Sequence, residues 1–212
     1  DHVYLIDRPV AEVDRLQYPL ADMRARAKQR AAETGTSEDA EFRALTEQKM
    51  GRLLALNRQT GAVIWSTEEE IFGTQLAVSR QHGVLLMSYQ PAHQASLLSE
   101  RGDRMAAFTS DGTRLWDVKA EYVARPILND RAIYAEPGAW DLLTGQSLPF
   151  KLERSYGCGI PCGSTNLLLF RSATLGYVDL TRGSQTENYG GIRPGCWVNA
   201  IPAGGLVLMA DA

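Results

Sequence analysis

The 212-residue chain is 44% hydrophobic and carries a net charge of -3, which is length and apolar content enough for a sizeable core, read most simply as one domain. Acidic and basic residues are interspersed, so the basic stripe that nucleic-acid binding requires is missing and no nucleic-acid partner is expected. No apolar run approaches the roughly 20 residues that cross a bilayer as a helix, and no charged-then-apolar leader opens the chain.

The opening DHVYLID reads as a strand, and Asp1 rather than Met stands first, so an upstream segment is expected to have been removed. The closing GGLVLMADA likewise stops just beyond an apparent strand, so the chain is expected to be a fragment or a processed product. From residue 9 to residue 50 the composition changes to Ala, Arg, Glu and Gln with few β-branched residues, the composition of helices. Leu16, Leu20, Met23 and Ala27 recur at three and four residues, as do Phe42, Leu45 and Lys49 more weakly. Pro9 and Ser37-Glu38-Asp39 supply helix starts. Residues 9–50 are therefore expected to be an inserted pair of helices separated by Gly35. It serves either as a partner-docking or lid element or as a decorative insertion of the kind that surface loops tolerate.

Beyond the insertion the chain repeats. RLLALNRQTGAVIW at 52–65 and RMAAFTSDGTRLW at 104–116 align with one gap. Each is an apolar run, a turn containing Gly61 or Gly112, and a second apolar run ending in Trp65 or Trp116. This is a β-hairpin pattern, because glycine supplies the positive φ that tight turns demand. AWDLLTGQSLPF at 139–150, with Gly145 at its turn, is a weaker copy. GYVDLTRGSQTENY at 176–189 keeps the order of Asp179 and Gly183. Between these hairpins lie further strand pairs, around His82-Gly83, Asn129-Asp130 and Ala173. The turn glycines at 61, 112, 145 and 183 suit four-stranded blades with loops of varying length. The fold class read from this pattern is all-β: a partial β-propeller of four-stranded antiparallel blades, about four to five of them across residues 1–212, with the helical insertion. A β-sandwich is the second choice.

The hairpin LLALNRQTGAVIW at 53–65 resembles the quinoprotein repeat, in which a strand carrying Ala-Leu-Asp is followed by Thr-Gly and an outward strand ending in Trp. Asn57 stands where that repeat usually has Asp. The resemblance implies that Trp65 and Trp116 pack between neighbouring blades. The C-terminal half, from YGCGIPCGSTNLLLFRSATLGYVDL to GGIRPGCWVNAIPAGGLVLM, is similar to large propeller proteins of planctomycete-type bacteria. Two functions follow as expectations. One is a non-catalytic binding or scaffold propeller of an exported bacterial protein, in the periplasm or cell envelope, with a protein partner or the remainder of the parent chain as its contact and no cofactor. The other is an oxidoreductase using pyrroloquinoline quinone with calcium. The family's dehydrogenases typically have a vicinal disulfide, which this chain lacks, and its carboxylates form no evident calcium loop.

The remaining chemistry gathers late in the sequence. The spacing of Cys158 and Cys162 is not that of a zinc knuckle, and His2, His82 and His93 are far from them in sequence, so no metal site is expected. Cys158 and Cys196 each sit in a glycine-flanked segment at a blade start. They form either a disulfide, implying an oxidising compartment, or ordinary buried thiols. Arg171, Tyr177, Asp179, Asn188, Arg193 and Asn199 fall among glycines in the same region. Arg171 and Arg193 are suited to holding an anionic group bidentately, and equally to tying blades together. Tyr177 and Trp197 read as core aromatics. The candidate ligand site is Arg171, Tyr177, Asp179, Arg193 and Asn199.

Overall fold

The computed structural model describes residues 2–10, 20–47, 49–91, 97, 99–183, 185–195 and 200–209. The chain divides into two compact units, residues 1–74 with 97–101, and residues 75–96 with 102–212.

In the first unit, β1 (His2–Asp7), β2 (Gly51–Asn57) and β3 (Val63–Ile71) form an antiparallel sheet in that order. Tyr4, Ala55 and Trp65 sit side by side across it. The Tyr4 and Trp65 rings lie 6.0 Å apart over the small Ala55. Between β1 and β2 come α1 (Leu20–Thr34) and α2 (Glu38–Thr46). Met23, Ala27 and Leu45 close a small core between the helices, with Phe42 against it, as the three-and-four spacing requires. Gly35 ends α1 at φ +72°, its N–H donating to the Ala31 carbonyl. The Ser37 side chain caps α2 by accepting from the Ala40 N–H. Leu16 lies outside the described residues.

The second unit is a succession of antiparallel meanders. The first contains β4 (Gln75–Ser79), β5 (Val84–Ser88), β6 (Arg104–Thr109) and β7 (Arg114–Lys119). The second contains β8 (Ile127–Asn129), β9 (Ala132–Ala135), β10 (Gly138–Asp141) and β11 (Ser147–Leu148). The third contains β12 (Cys162–Gly163), β13 (Leu167–Ser172), β14 (Thr174–Asp179) and β15 (Glu187–Tyr189). A hairpin of β16 (Ile201–Ala203) and β17 (Leu206–Leu208) follows. Every strand pairs with its sequence neighbour within a sheet, and the first strands lie next to one another in turn, β4 by β8, β8 by β12, β12 by β16. Sheets stacked through their first strands in chain order are propeller blades.

A blade between two others must be apolar on both faces, and the continuous run LLLF in β13 meets that need. Side chains alternate along a strand. Leu168 and Phe170 accordingly point to one side, into a cluster with Leu152 and Val178 against Ile127 and Tyr134 of the preceding sheet and Phe150 just beyond it. Leu169 points to the other side, joining Leu175 and Ala200 with Tyr177 and Met209. Trp116 on β7 reaches the next sheet: its indole N–H donates to the Leu142 carbonyl at 2.8 Å, and its ring lies where a side chain on Gly145 would stand, 2.8 Å from an added Cβ.

Both hairpins that end in Trp share an irregularity. Ala55 pairs with Trp65 but Leu56 with Val63, leaving Ile64 as an extra residue. Ala107 pairs with Trp116 but Phe108 with Arg114, leaving Leu115 extra. A bulge adds local twist and re-aims the residue beside it; here it precedes the Trp in both copies.

Candidate functional site

A group of buried polar side chains lies where the chain passes from β11 to β12. This segment, residues 149–161, crosses the ends of β9, β10, β13 and β14. Arg154 donates through Nε at 2.7 Å and also through Nη2 to the Glu136 carboxylate in the β9–β10 turn. Both side chains are almost entirely buried, at 3% and 8% exposure. Arg154 Nη1 also donates to the Gly159 carbonyl at 3.3 Å. A buried ion pair holds only when its remaining hydrogen-bonding groups are met, and the segment's own backbone contributes that carbonyl.

The neighbouring residues fix the segment onto β13. Ser155 donates its N–H to Ser172 Oγ at 3.0 Å, and the two hydroxyls lie 3.1 Å apart. The Ala173 N–H donates to the Tyr156 carbonyl. Gly157 lies so close to the Arg171 carbonyl that an added Cβ would stand 2.2 Å from it, a close approach that glycine alone permits. Buried Arg171 holds its guanidinium carbon 6.0 Å from the centroid of the largely exposed Tyr156 ring.

The residues expected from sequence as a ligand site are distributed differently. Arg171 belongs to this cluster. Tyr177 lies mid-strand and donates its hydroxyl to Glu187 at 2.7 Å, and that bond, together with burial and the Glu187 charge, raises its pKa. Asp179 stands at the opposite end of the sheet, paired with Leu167 whereas Arg171 pairs with Leu175. There its carboxylate accepts from the Thr181 N–H and hydroxyl, and the hydroxyl bond is the main cause of its lowered pKa. Arg193 and Asn188 are exposed. Asn199, Trp197 and Cys196, with the proposed Cys158–Cys196 bridge, lie outside the described residues. Cys162 is a free thiol that donates to the Ala200 carbonyl, and burial pushes its pKa up.

Glu136, Arg154, Ser155 and Ser172 were not singled out by sequence. The available signal was a Glu at the end of an apolar strand and an Arg in the charged run Lys151-Leu152-Glu153-Arg154, and only the meander brings them together. Among the described residues no group of three or more His, Cys, Asp or Glu side chains converges on a cation position. No described helix is long and apolar enough to cross a membrane.

No family model matches the chain, and no curated protein matches it in sequence. Among solved structures it is similar to BamB from Moraxella catarrhalis, at 19% identity over 66% of this chain and 43% of that one, with a TM-score of 0.46. It is also similar to the Neurospora crassa Pan2 WD40 domain, at 13% identity over 71% and 52%, with a TM-score of 0.48. A third is the quinohemoprotein alcohol dehydrogenase ADHIIG from Pseudomonas putida HK5, at 13% identity over 76% and 35%, with a TM-score of 0.45. The chain spans less than two thirds of each of these three proteins. Its own sheet order carries the fold assignment. The fold of the second unit is that of consecutive β-propeller blades.

Proposed function

We propose that the chain is a non-catalytic binding or scaffold segment of a β-propeller, part of an exported bacterial protein of the cell envelope, completed by further strands from its parent chain or a protein partner. The observation that carries this reading is the use made of the buried charges. Arg154 and Glu136 are spent on each other, Ser155 and Ser172 on each other, and Arg171 lies against the segment that covers it. These side chains lock adjacent blades together, the work of a rigid platform rather than of an open reaction centre. Export is favoured by the glycine-flanked cysteines read from the sequence, and a platform with a bridge between Cys158 and Cys196 suits an oxidising compartment.

The test is calorimetric titration of the purified chain with pyrroloquinoline quinone plus calcium, beside a thiol count in denaturant without reductant. The expected results are no saturable heat and a single reactive thiol, that of Cys162. Saturable quinone binding overturns the non-catalytic reading, and three reactive thiols remove the support for export.

A further inference from the structure

We propose that His82 and Asp130 form a pH-operated latch between the first two blades of the second unit, open when the imidazole is neutral and closed when it takes up a proton.

The two residues come from equivalent places. His82 stands in the turn between β4 and β5, and Asp130 in the turn between β8 and β9, each turn joining the first two strands of its sheet. Because β4 lies beside β8, the two turns meet at one end of the neighbouring sheets, and His82 Nε2 stands 3.5 Å from Asp130 Oδ1. This nitrogen is buried and has no hydrogen-bond partner among the described residues. At that separation a neutral ring gains little. In one tautomer its lone pair faces the carboxylate, and in the other its N–H is too distant for a good bond. A proton on the ring changes both conditions: each ring nitrogen becomes a donor, and the pair carries opposite charges, for which a separation of about 2.8 Å is usual. Closing the gap falls to the carboxylate, since the Asp130 side chain is 59% exposed and that of His82 only 19%. Asp130 sits at φ +46°, a conformation that Asp and Asn adopt more readily than most residues.

The charges on the adjoining turns have partners of their own. Arg131, beside Asp130, pairs with Asp141. Asp111, in the β6–β7 turn, accepts from the Thr109 hydroxyl and the Thr113 N–H. Arg80, on the same turn as His82, is exposed, and the His82 N–H donates to Ser79 Oγ at 3.3 Å, which fixes the turn that carries the ring. The Asp130 carboxylate is the charge that His82 Nε2 faces.

The effect reaches a third blade. Asn129, next to Asp130, donates through Nδ2 to the Ser164 and Thr165 carbonyls at 2.9 and 2.8 Å, in the turn between β12 and β13. Three successive blades are thus joined turn to turn in one row, and the link through His82 is the one that contains an imidazole. The buried Arg154–Glu136 pair lies at the other end of the second blade, in the β9–β10 turn. An imidazole changes charge between about pH 8 and pH 5, so mild acid adds a charged joint at the end of the blades that the Arg154–Glu136 pair does not hold.

The test follows amide hydrogen exchange of residues 80–84 and 129–132 in the parent chain and in Asp130→Asn, at about pH 5.5 and about pH 8. Asn accepts the positive φ, so the variant keeps its turn. Comparing the two proteins at one pH cancels the intrinsic pH dependence of exchange. At the lower pH the parent is expected to exchange about two- to fivefold more slowly than the variant, as suits a partly exposed ion pair, and at the higher pH the two should match. The same substitution in a His82→Gln background separates His82 from His2 and His93: there the effect should be equal at both pH values. A parent-to-variant ratio that does not change with pH overturns the proposal, and so does a pH-dependent ratio that survives in the His82→Gln background.

Discussion

One side-chain oxygen recurs at the turn that joins the last two strands of a sheet. Asn57 Oδ1 accepts from the N–H groups of Gln59 and Thr60. Asp141 Oδ1 accepts from the N–H groups of Leu143 and Thr144 and from the Thr144 hydroxyl. The turn needs an acceptor at that place, and Asn supplies it as well as Asp; this is why the repeat tolerates Asn57. Asp141 differs in charge. Burial pushes its carboxyl up, but the Thr144 hydroxyl, the two N–H groups and Arg131 outweigh burial and hold it below its ordinary value. A carboxyl lowered in the folded state contributes stability that is fully present above its unfolded pKa of about 3.9 and is lost as pH falls through the folded value. Asp141→Asn is expected to leave stability at pH 7 within about 0.5 kcal/mol of the parent, since its exposed pairing with Arg131 is worth little. Below pH 4 the variant should lose less stability than the parent. Asp141→Ala removes the acceptor and costs about 1 kcal/mol at neutral pH. Urea midpoints measured from pH 7 down to pH 2 decide it, and identical acid limbs for parent and Asn variant would sink the argument.

Between elements, the contacts that join blades are of two physical kinds, and they predict different mutational behaviour. The first is the Trp116 indole, which donates to the Leu142 carbonyl and leaves room on Gly145 for its ring. Gly145 stands at φ +71°, so Gly145→Ala meets both backbone strain and the ring, a cost above about 1 kcal/mol. Trp116→Phe keeps most of the packing but strands the carbonyl, costing about 1 to 2 kcal/mol. Thermal unfolding of the two single variants and the double checks this, and strict additivity would deny that ring and glycine are in contact. The second kind is the Arg154–Glu136 pair. Removing either partner leaves a buried charge without its counter-charge, so Arg154→Met or Glu136→Gln is expected to cost about 3 to 5 kcal/mol, and the double variant less than either single. A double variant as damaged as the two singles combined would mean that the pair does not act as a unit.

The hairpins of this scale were legible in sequence, because turn glycines and apolar runs are local signals. Even Ala173, at φ +63°, and Asp130, at φ +46°, fall at turns marked by the strands around them. The polar cluster was not legible: Glu136 and Arg154 are 18 residues apart, and nothing in either neighbourhood marks a long-range partner. Asp179 and Arg171, grouped in the sequence because both fall among glycines, are set apart by the register of β13 and β14. They are close in sequence and of complementary charge, but an extended strand carries them to opposite ends of the sheet.

Across the whole molecule, a chain of meanders has a graded rather than uniform stability, because each sheet of the second unit is held by its neighbours alone. A strand covered on both faces and both edges opens only when its blade opens, whereas an uncovered strand frays by itself. β5 and β13 are of the first sort, buried along nearly their whole length. β17, exposed and without a cover among the described residues, is of the second, and the two-residue β11 has little pairing to lose. In the chain alone, amides of Val84–Ser88 and Leu168–Arg171 are therefore expected to exchange at least about a hundredfold more slowly than those of Leu206–Leu208. The same measurement separates this picture from a single cooperative core. In a cooperative core β17 amides would share the protection of β5, and equal rates across these strands would refute the graded view.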